Sequence, residues 1–493
     1  NFVNYIVLFN SQNFIFIFLP TVILFFFIAL FFIKNNEKII IYILSLSSLF
    51  FYGYWNPSYI FLICLSIIFN YSIGKLILKK DHKIYFLLAI FFNLFLLGYF
   101  KYSNFIIENM NILFTSTIEV KEIELPLAIS FFTFQQIAFL IDLKNRQIFP
   151  NNFFKYSFFI LFFPQLIAGP IVRYQEMIPQ INFFRKKKLF LKNLSIGITF
   201  FCIGLFKKNC LAYNLEIIAN TIFDNPNQNS TLFFEHWVGV VAYSFQIYFD
   251  FSAYSDMAIG LARIFGFKIP MNFNSPYKSE SLIEFWTRWH ITLSRFIRDT
   301  IFTPFLIHLG RFKYINKFEN EYEQFIQIFI SALITFALSG LWHGASWNFV
   351  IWGFLHGLFL SLNYLFKIFS SIDLNKNLSR LITIVVVFII FVPFRADNLN
   401  TTISIWKTIF GVNADFSFKL DLMQNLTVAN YFWLFISFIV IFFFKNIHSY
   451  FKKKTSFLTL NFDLKSSFII FFIIILTIFF GTDTSKEFIY FQF

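Results

Sequence analysis

The chain has 493 residues, of which 58% are hydrophobic and 13% charged, with 84 Phe, 22 Tyr and a formal net charge of +14. Soluble globular proteins carry about a quarter charged residues, so this composition excludes a soluble domain and indicates a polytopic membrane protein. The basic residues sit in short clusters between apolar runs, a membrane-orientation pattern rather than a nucleic-acid surface, and no nucleic-acid partner is expected.

In chain order the apolar runs are Phe14–Ile33, Ile39–Trp55, Tyr59–Leu78, Ile84–Phe100, Phe154–Ile171, Asn193–Phe206, His236–Phe265, Phe325–Leu341, Phe349–Phe369, Leu381–Phe394, Tyr431–Phe444 and Phe468–Phe480. Some are short for a crossing. The expected fold is therefore an all-α polytopic integral membrane protein of roughly 11–13 transmembrane helices with re-entrant or interfacial pieces. The first run is longer than a signal-peptide core and lacks a small-residue cleavage site, so it reads as an uncleaved helix. Lys34–Lys38, Lys75–Lys83, Arg185–Lys192 and Lys445–Lys454 are assigned to the cytoplasmic side. The segments around Trp55 and from Lys101 to Glu124 then fall outside, and the tail, residues 481–493, emerges on that outer face. Cys64, Cys202 and Cys210 lack metal-ligand spacing and read as packing residues.

No polar stretch is long enough to bury a core of its own, so residues 1–493 form a single membrane domain. Its middle, residues 125–357, differs from its ends because Pro, Gly, Gln, Arg, Asp and His interrupt the apolar runs. Irregular or polar backbone at membrane depth requires burial in protein or a water-lined cavity, which predicts a central polar cavity ringed by plain helices.

Within that middle, Tyr243, Gln246, Asp250 and Tyr254 recur at spacings of three and four and form one helical stripe. The stripe reads either as an interhelical hydrogen-bond seam or as a cavity wall contacting a polar substrate. Residues Ser275 to Phe305 place Glu284, Arg288, His290, Arg295, Arg298 and Asp299 among tryptophans, a pattern suited to an interfacial or re-entrant helix. Arg288 and its neighbours read either as phospholipid headgroup contacts or as a site for a phosphate-bearing donor. Ser339, His343 and Trp347 follow at spacings of four and would share a helical face. A neutral imidazole is suited to take a proton from a hydroxyl nucleophile, and His290 offers a second one. Gly340 and Gly344 permit close approach, and His356 reads as structural. His82, His236, His308 and His448 lie at loops or helix ends and read as structural too. The chain lacks a GxxxxGK[ST] loop, a GxSxG elbow and an HExxH element.

Together these segments resemble the membrane-bound O-acyltransferase family, in particular its bacterial branch of alginate, peptidoglycan and lipoteichoic acid acylation proteins. The resemblance rests on LFNSQNFIFIFLP (Leu8–Pro20), FYGYWNP (Phe51–Pro57), LLGYFKY (Leu96–Tyr102), LPLAISFFTFQQIAFLID (Leu125–Asp142), FFPQLIAGPIVRY (Phe162–Tyr174), YFDFSAYSDMAIG (Tyr248–Gly260), NFNSPY (Asn272–Tyr277), FWTRWHITLSRFIRD (Phe285–Asp299) and LWHGASWNF (Leu341–Phe349). One departure is Val392-Pro393-Phe394-Arg395-Ala396, where relatives often read FFRA; proline there is expected to bend the helix. The resemblance implies that His343 of the WHG element is catalytic and that His290 is the second signature histidine. It implies a funnel reaching the bilayer's middle, with acetyl-CoA as cytoplasmic acyl donor and no metal. The tail Glu487–Phe493 resembles the branch's terminal FIYFQF element, in which Tyr490 reads as an acyl relay or an interfacial aromatic anchor. The expected function is acetyl export across the bacterial inner membrane to an extracytoplasmic polysaccharide, most simply peptidoglycan, completed by a periplasmic O-acetyltransferase partner. Alginate or another exopolysaccharide is the alternative acceptor, and a transporter or flippase for an acylated lipid the alternative class.

Overall fold

The structure is a computed structural model describing residues 8–33, 37–80, 83–120, 123–148, 152–185, 190–224, 232–311, 321–370, 372, 374–412, 414–417, 426–452, 477 and 488–489. Among these residues helices dominate, and the sole pairing of extended backbone is an isolated bridge between Leu232 and Asp415. Eight helices are long and apolar enough to cross a membrane: Phe14–Phe32, Glu37–Trp55, Ser58–Lys79, Lys83–Phe114, Phe190–Phe223, Glu321–His343, Trp347–Phe369 and Lys376–Arg395. The protein is an all-α polytopic membrane protein. The expected final run, Phe468–Phe480, lies almost wholly outside the described residues.

The first four helices, α1 (Leu19–Phe32), α2 (Glu37–Trp55), α3 (Ser58–Lys80) and α4 (Lys83–Phe114), form one flank. Each keeps a strongly exposed apolar face, as lipid-facing helices require; Phe32, Phe50, Phe61 and Phe91 are exposed on it. The segments around Trp55 and Glu124, both expected outside, meet at one end, where Asn56 Nδ2 lies 3.2 Å from Glu124 Oε2. Helix α4 continues through the stretch from Lys101 as far as Phe114, and Lys101 reaches the carbonyls of Trp342 and His343.

Helix α5 (Ile129–Lys144) is buried along nearly its whole length despite its polar residues. The apolar run Phe154–Ile171 is not one span. α6 (Phe153–Leu161) stops ahead of Pro164, and the following turns are buried throughout, so this is re-entrant backbone enclosed by protein. α7 (Phe190–Phe206) passes through a π-helical segment, Lys207–Ala212, into α8 (Tyr213–Phe223).

At the centre stands α9 (Phe233–Ile264), 32 residues long and buried on all sides over its middle. Its close packing against α7 depends on glycine: a Cβ on Gly260 would stand 2.5 Å from the Gly197 carbonyl oxygen. Small residues of this kind let membrane helices approach backbone to backbone. Two short helices, α10 (Leu282–Arg288) and α11 (Ile291–Ile297), are followed by α12 (Glu321–His343), α13 (Trp347–Phe369) and α14 (Lys376–Arg395). α12 and α13 are the tightest pair, because Cβ atoms on Gly340 and Gly353 would lie 2.0 Å from the carbonyl oxygens of Phe349 and Phe336.

Candidate active site

His343 is the last residue of α12 and is 6% exposed. Its ring is held edge-on by Trp342, Trp352 and Phe394, at centroid distances of 4.6, 5.0 and 5.1 Å. Pro393 falls in the final turn of α14 and the helix runs through it to Arg395, so Phe394 still reaches the imidazole. The end of α12 is itself capped by a side chain from α4. Lys101 Nζ donates to the carbonyl oxygens of Trp342 at 2.5 Å and His343 at 3.0 Å. The last carbonyls of a helix lack intrahelical donors, and an ammonium there satisfies them and complements the helix dipole.

His290 lies between α10 and α11 with φ +41°, in the left-handed region that a non-glycine residue rarely occupies. The turn is held from behind by Asn272, whose Oδ1 accepts from Thr292 N at 3.2 Å and from Thr292 Oγ1 at 2.8 Å, while Ile291 N donates to the Asn272 carbonyl at 2.8 Å. Neither ring nitrogen of His290 has a hydrogen-bond partner among the described residues, although the side chain is buried. A strained residue with a buried, unmatched polar ring indicates a site rather than a packing role.

The two histidines face one small buried cavity of about 30 Å³, whose lining includes Asp250, Tyr254, Trp352, Phe394, Phe488 and Ile489. That volume admits about one water molecule. Of the residues expected to line it, Asp250 and Tyr254 do. Gln246 is buried one turn from Asp250, outside the lining, and its amide oxygen has no partner among the described residues. Ser339 opens instead on a separate groove of about 480 Å³ bordered by Trp286, Arg295, Arg298 and Tyr364. Trp347 does not share a face with His343, because α12 ends at His343 and α13 begins at Trp347; it is 54% exposed, and its Nε1 donates to Asn109 Oδ1 at 3.0 Å. Arg288 is half-buried and pairs with Glu284 at 2.5 Å, away from the cavity. It belongs to a basic group with Arg380, Lys445 and Lys278. Burial and those three cations hold the Lys278 ammonium below its ordinary pKa. His356 packs edge-on against Trp286 and Trp352 outside the cavity lining, and neither of its ring nitrogens has a hydrogen-bond partner among the described residues. Tyr490 lies outside the described residues, and Ile489, its predecessor, is on the cavity wall.

Lys101 and Asn272, which hold the two histidines in place, are not marked as such by residue order. Lys101 carries a signal all the same, being an ammonium at the edge of an apolar run, where a charge requires a partner. Asn272 opens the NFNSPY segment noted above, which marks the loop without giving the residue a role.

Two buried histidines thus meet at one small cavity between several helices of a membrane bundle, the arrangement expected of a site working within the membrane. The sequence profile of the membrane-bound O-acyltransferase family matches residues 51–406, and the chain belongs to that family. It is 35% identical over 441 residues to a peptidoglycan O-acetyltransferase of Helicobacter pylori, covering 83% of this chain and 81% of the relative. It is 36% identical over 307 residues to a Pseudomonas aeruginosa protein named "Probable alginate O-acetylase AlgI", covering 62% of this chain and 54% of the relative. A teichoic acid D-alanyltransferase of Bacillus subtilis is 28% identical over 244 residues, 49% of this chain and 59% of that protein. The protein is a membrane O-acyltransferase.

Proposed function

We propose that this enzyme takes the acetyl group of acetyl-CoA at the cytoplasmic face of the bacterial inner membrane and passes it outward for O-acetylation of peptidoglycan. His343 acts as general base, His290 is a second polar group of the chamber, and Tyr490 carries the acetyl group. The observation that supports this most is the meeting of His343, His290 and the C-terminal Ile489 at one enclosed cavity. The basic group of Lys278, Arg288, Arg380 and Lys445 suits the phosphates of the donor. The acceptor is taken from the relative named a peptidoglycan O-acetyltransferase.

In the proposed step His343 removes the phenolic proton of Tyr490, and the phenolate oxygen attacks the thioester carbonyl. The tetrahedral intermediate collapses with cleavage of the C–S bond, and the coenzyme A thiolate leaves and recovers the proton from His343. The products are a tyrosyl acetate and free coenzyme A. An outer-face hydroxyl, on the glycan or on a periplasmic partner transferase, then attacks the aryl ester, and the phenol departs as a good leaving group.

The test is transfer of radiolabel from acetyl-CoA to protein in proteoliposomes, with His343→Ala and Tyr490→Phe beside the wild type. Base-labile label that is lost in both variants supports the relay. His343-dependent transfer to an acceptor without protein label removes Tyr490 as carrier, and indifference to His343 overturns the assignment of the base. Transfer to alginate but not to muropeptides would reassign the acceptor.

A further inference from the structure

Asp250 is 3% exposed, and both of its carboxylate oxygens are engaged. Lys208 Nζ lies 2.5 Å from Oδ1, and the backbone N–H of Ile489 donates to Oδ2 at 2.8 Å. The same ammonium stands 4.3 Å from the centroid of the Phe488 ring, which in turn meets Tyr254 edge-on at 5.0 Å. Three segments remote in sequence thus converge on one buried ion pair.

Such a pair is a poor way to hold two helices together, since desolvation consumes most of the Coulombic gain and an apolar pair of similar volume does as well. The α7–α9 contact already has its glycine packing at Gly197, Gly204 and Gly260. An apolar pair lacks two things: an acceptor for the backbone N–H of an arriving segment, and a cation for its aromatic ring.

We infer that Lys208 and Asp250 are a dock for the chain's own C-terminal segment, holding Phe488 and Ile489 against the chamber that His343 lines, in service of the relay proposed above. They are positioning residues. The purpose assigned to the dock rests on Tyr490 being the carrier, whereas the dock itself is measurable without that.

The π-helical segment also supplies an internal control. Consecutive lysines diverge by about 100° on an α-helix, and a π-turn re-aims them. Here both reach α9: Lys207 Nζ sits 2.6 Å from Asp256 Oδ2, and His448 Nε2 is 3.5 Å from Asp256 Oδ1. That second pair touches neither Phe488 nor Ile489 among the described contacts.

The experiment places Ile489→Cys, which keeps the backbone N–H, in the full-length protein and measures the rate of N-ethylmaleimide modification at that position by mass spectrometry. In the neutral double variant Lys208→Met/Asp250→Leu the rate is expected to rise about tenfold as the segment detaches. Without the added cysteine, the same double variant is expected to lower kcat for acetyl transfer with KM for acetyl-CoA unchanged. Lys207→Met/Asp256→Leu should leave the labelling rate as it was, and Lys208→Arg, which keeps charge and cation–π contact, should label like the wild type. Unchanged labelling in Lys208→Met/Asp250→Leu, or an equal rise in both double variants, overturns the dock. Faster labelling in that variant supports the dock even if no tyrosyl acetate forms anywhere, a result that would overturn the carrier alone.

Discussion

Two buried polar regions of this protein solve the same problem in opposite ways. Between α3, α4 and α5 the groups are neutral: Ser66 Oγ donates to Gln136 Oε1 at 3.0 Å, Asn93 Nδ2 donates to Asn70 Oδ1 at 2.7 Å, and Asn70 also donates to Gln136. Around α9 they are charged or ionisable: Lys207, Lys208, Asp250, Asp256 and the two chamber histidines. The amide ladder closes within three helices, with Gln136 Nε2 its one atom left without a partner among the described residues. The charged centre spends its bonds on segments that arrive from elsewhere, the tail at Asp250 and the α16-following helix residue His448 at Asp256, where α16 is Val428–Phe443 and the intervening α15 is Leu399–Ile409. Neutral amides glue helices, whereas expensive buried charge marks the place where something is held for chemistry.

The sharpest way to break this contrast is His343→Ala. Loss of a general base should lower acetyl transfer by about 10²–10⁴-fold, with the purified protein still eluting as a folded species. A variant that transferred acetyl normally would place the charged centre on the same structural footing as the ladder.

Lys207→Met should be the costliest change to stability. It leaves the buried Asp256 carboxylate with His448 alone, and breaking such a pair costs about 3–5 kcal/mol, readable as a lower denaturant midpoint in mixed micelles. Adding Asp256→Leu should recover most of the loss. Failure to recover would mean that the pair has a role beyond charge balance.

Lys101→Met removes the donor to two carbonyls at the end of α12. The expected result is about 1–3 kcal/mol of destabilisation for the buried carbonyls. It should also lower kcat several-fold, as His343 loses its fixed position, with KM for acetyl-CoA unchanged. Asn93→Leu, in the ladder, is the smallest expected effect: about 0.6 kcal/mol, the mean for an interhelical membrane hydrogen bond, with kinetics unaltered. If Asn93→Leu slowed transfer more than Lys101→Met did, the division between the two regions would be wrong.

Part of this architecture was plain from residue order. Composition specified an all-α membrane protein, and the motifs around His290 and His343 singled out those two residues before any coordinates. Helical periodicity places Asp250 and Tyr254 on one stripe, and both line the cavity. The same periodicity failed for Trp347, because it assumes an unbroken helix and α12 terminates at His343. Gln246 and Ser339 lie off this cavity, since a helical stripe tells which residues share a face and not what the face meets. For the Phe154–Ile171 run, apolarity alone does not distinguish a lipid-facing span from re-entrant backbone buried in protein.

The chain's linear order therefore determined the class of solvent, the helices and the ionisable groups that hydrocarbon does not tolerate alone, because those follow from local transfer free energies. Tertiary structure alone decided which partner each such group meets: Lys101 at the end of α12, Lys208 between Asp250 and Phe488, and Ile489 at the wall of the histidine chamber. Those pairings join residues up to hundreds of positions apart, and neither period nor propensity carries information over that distance.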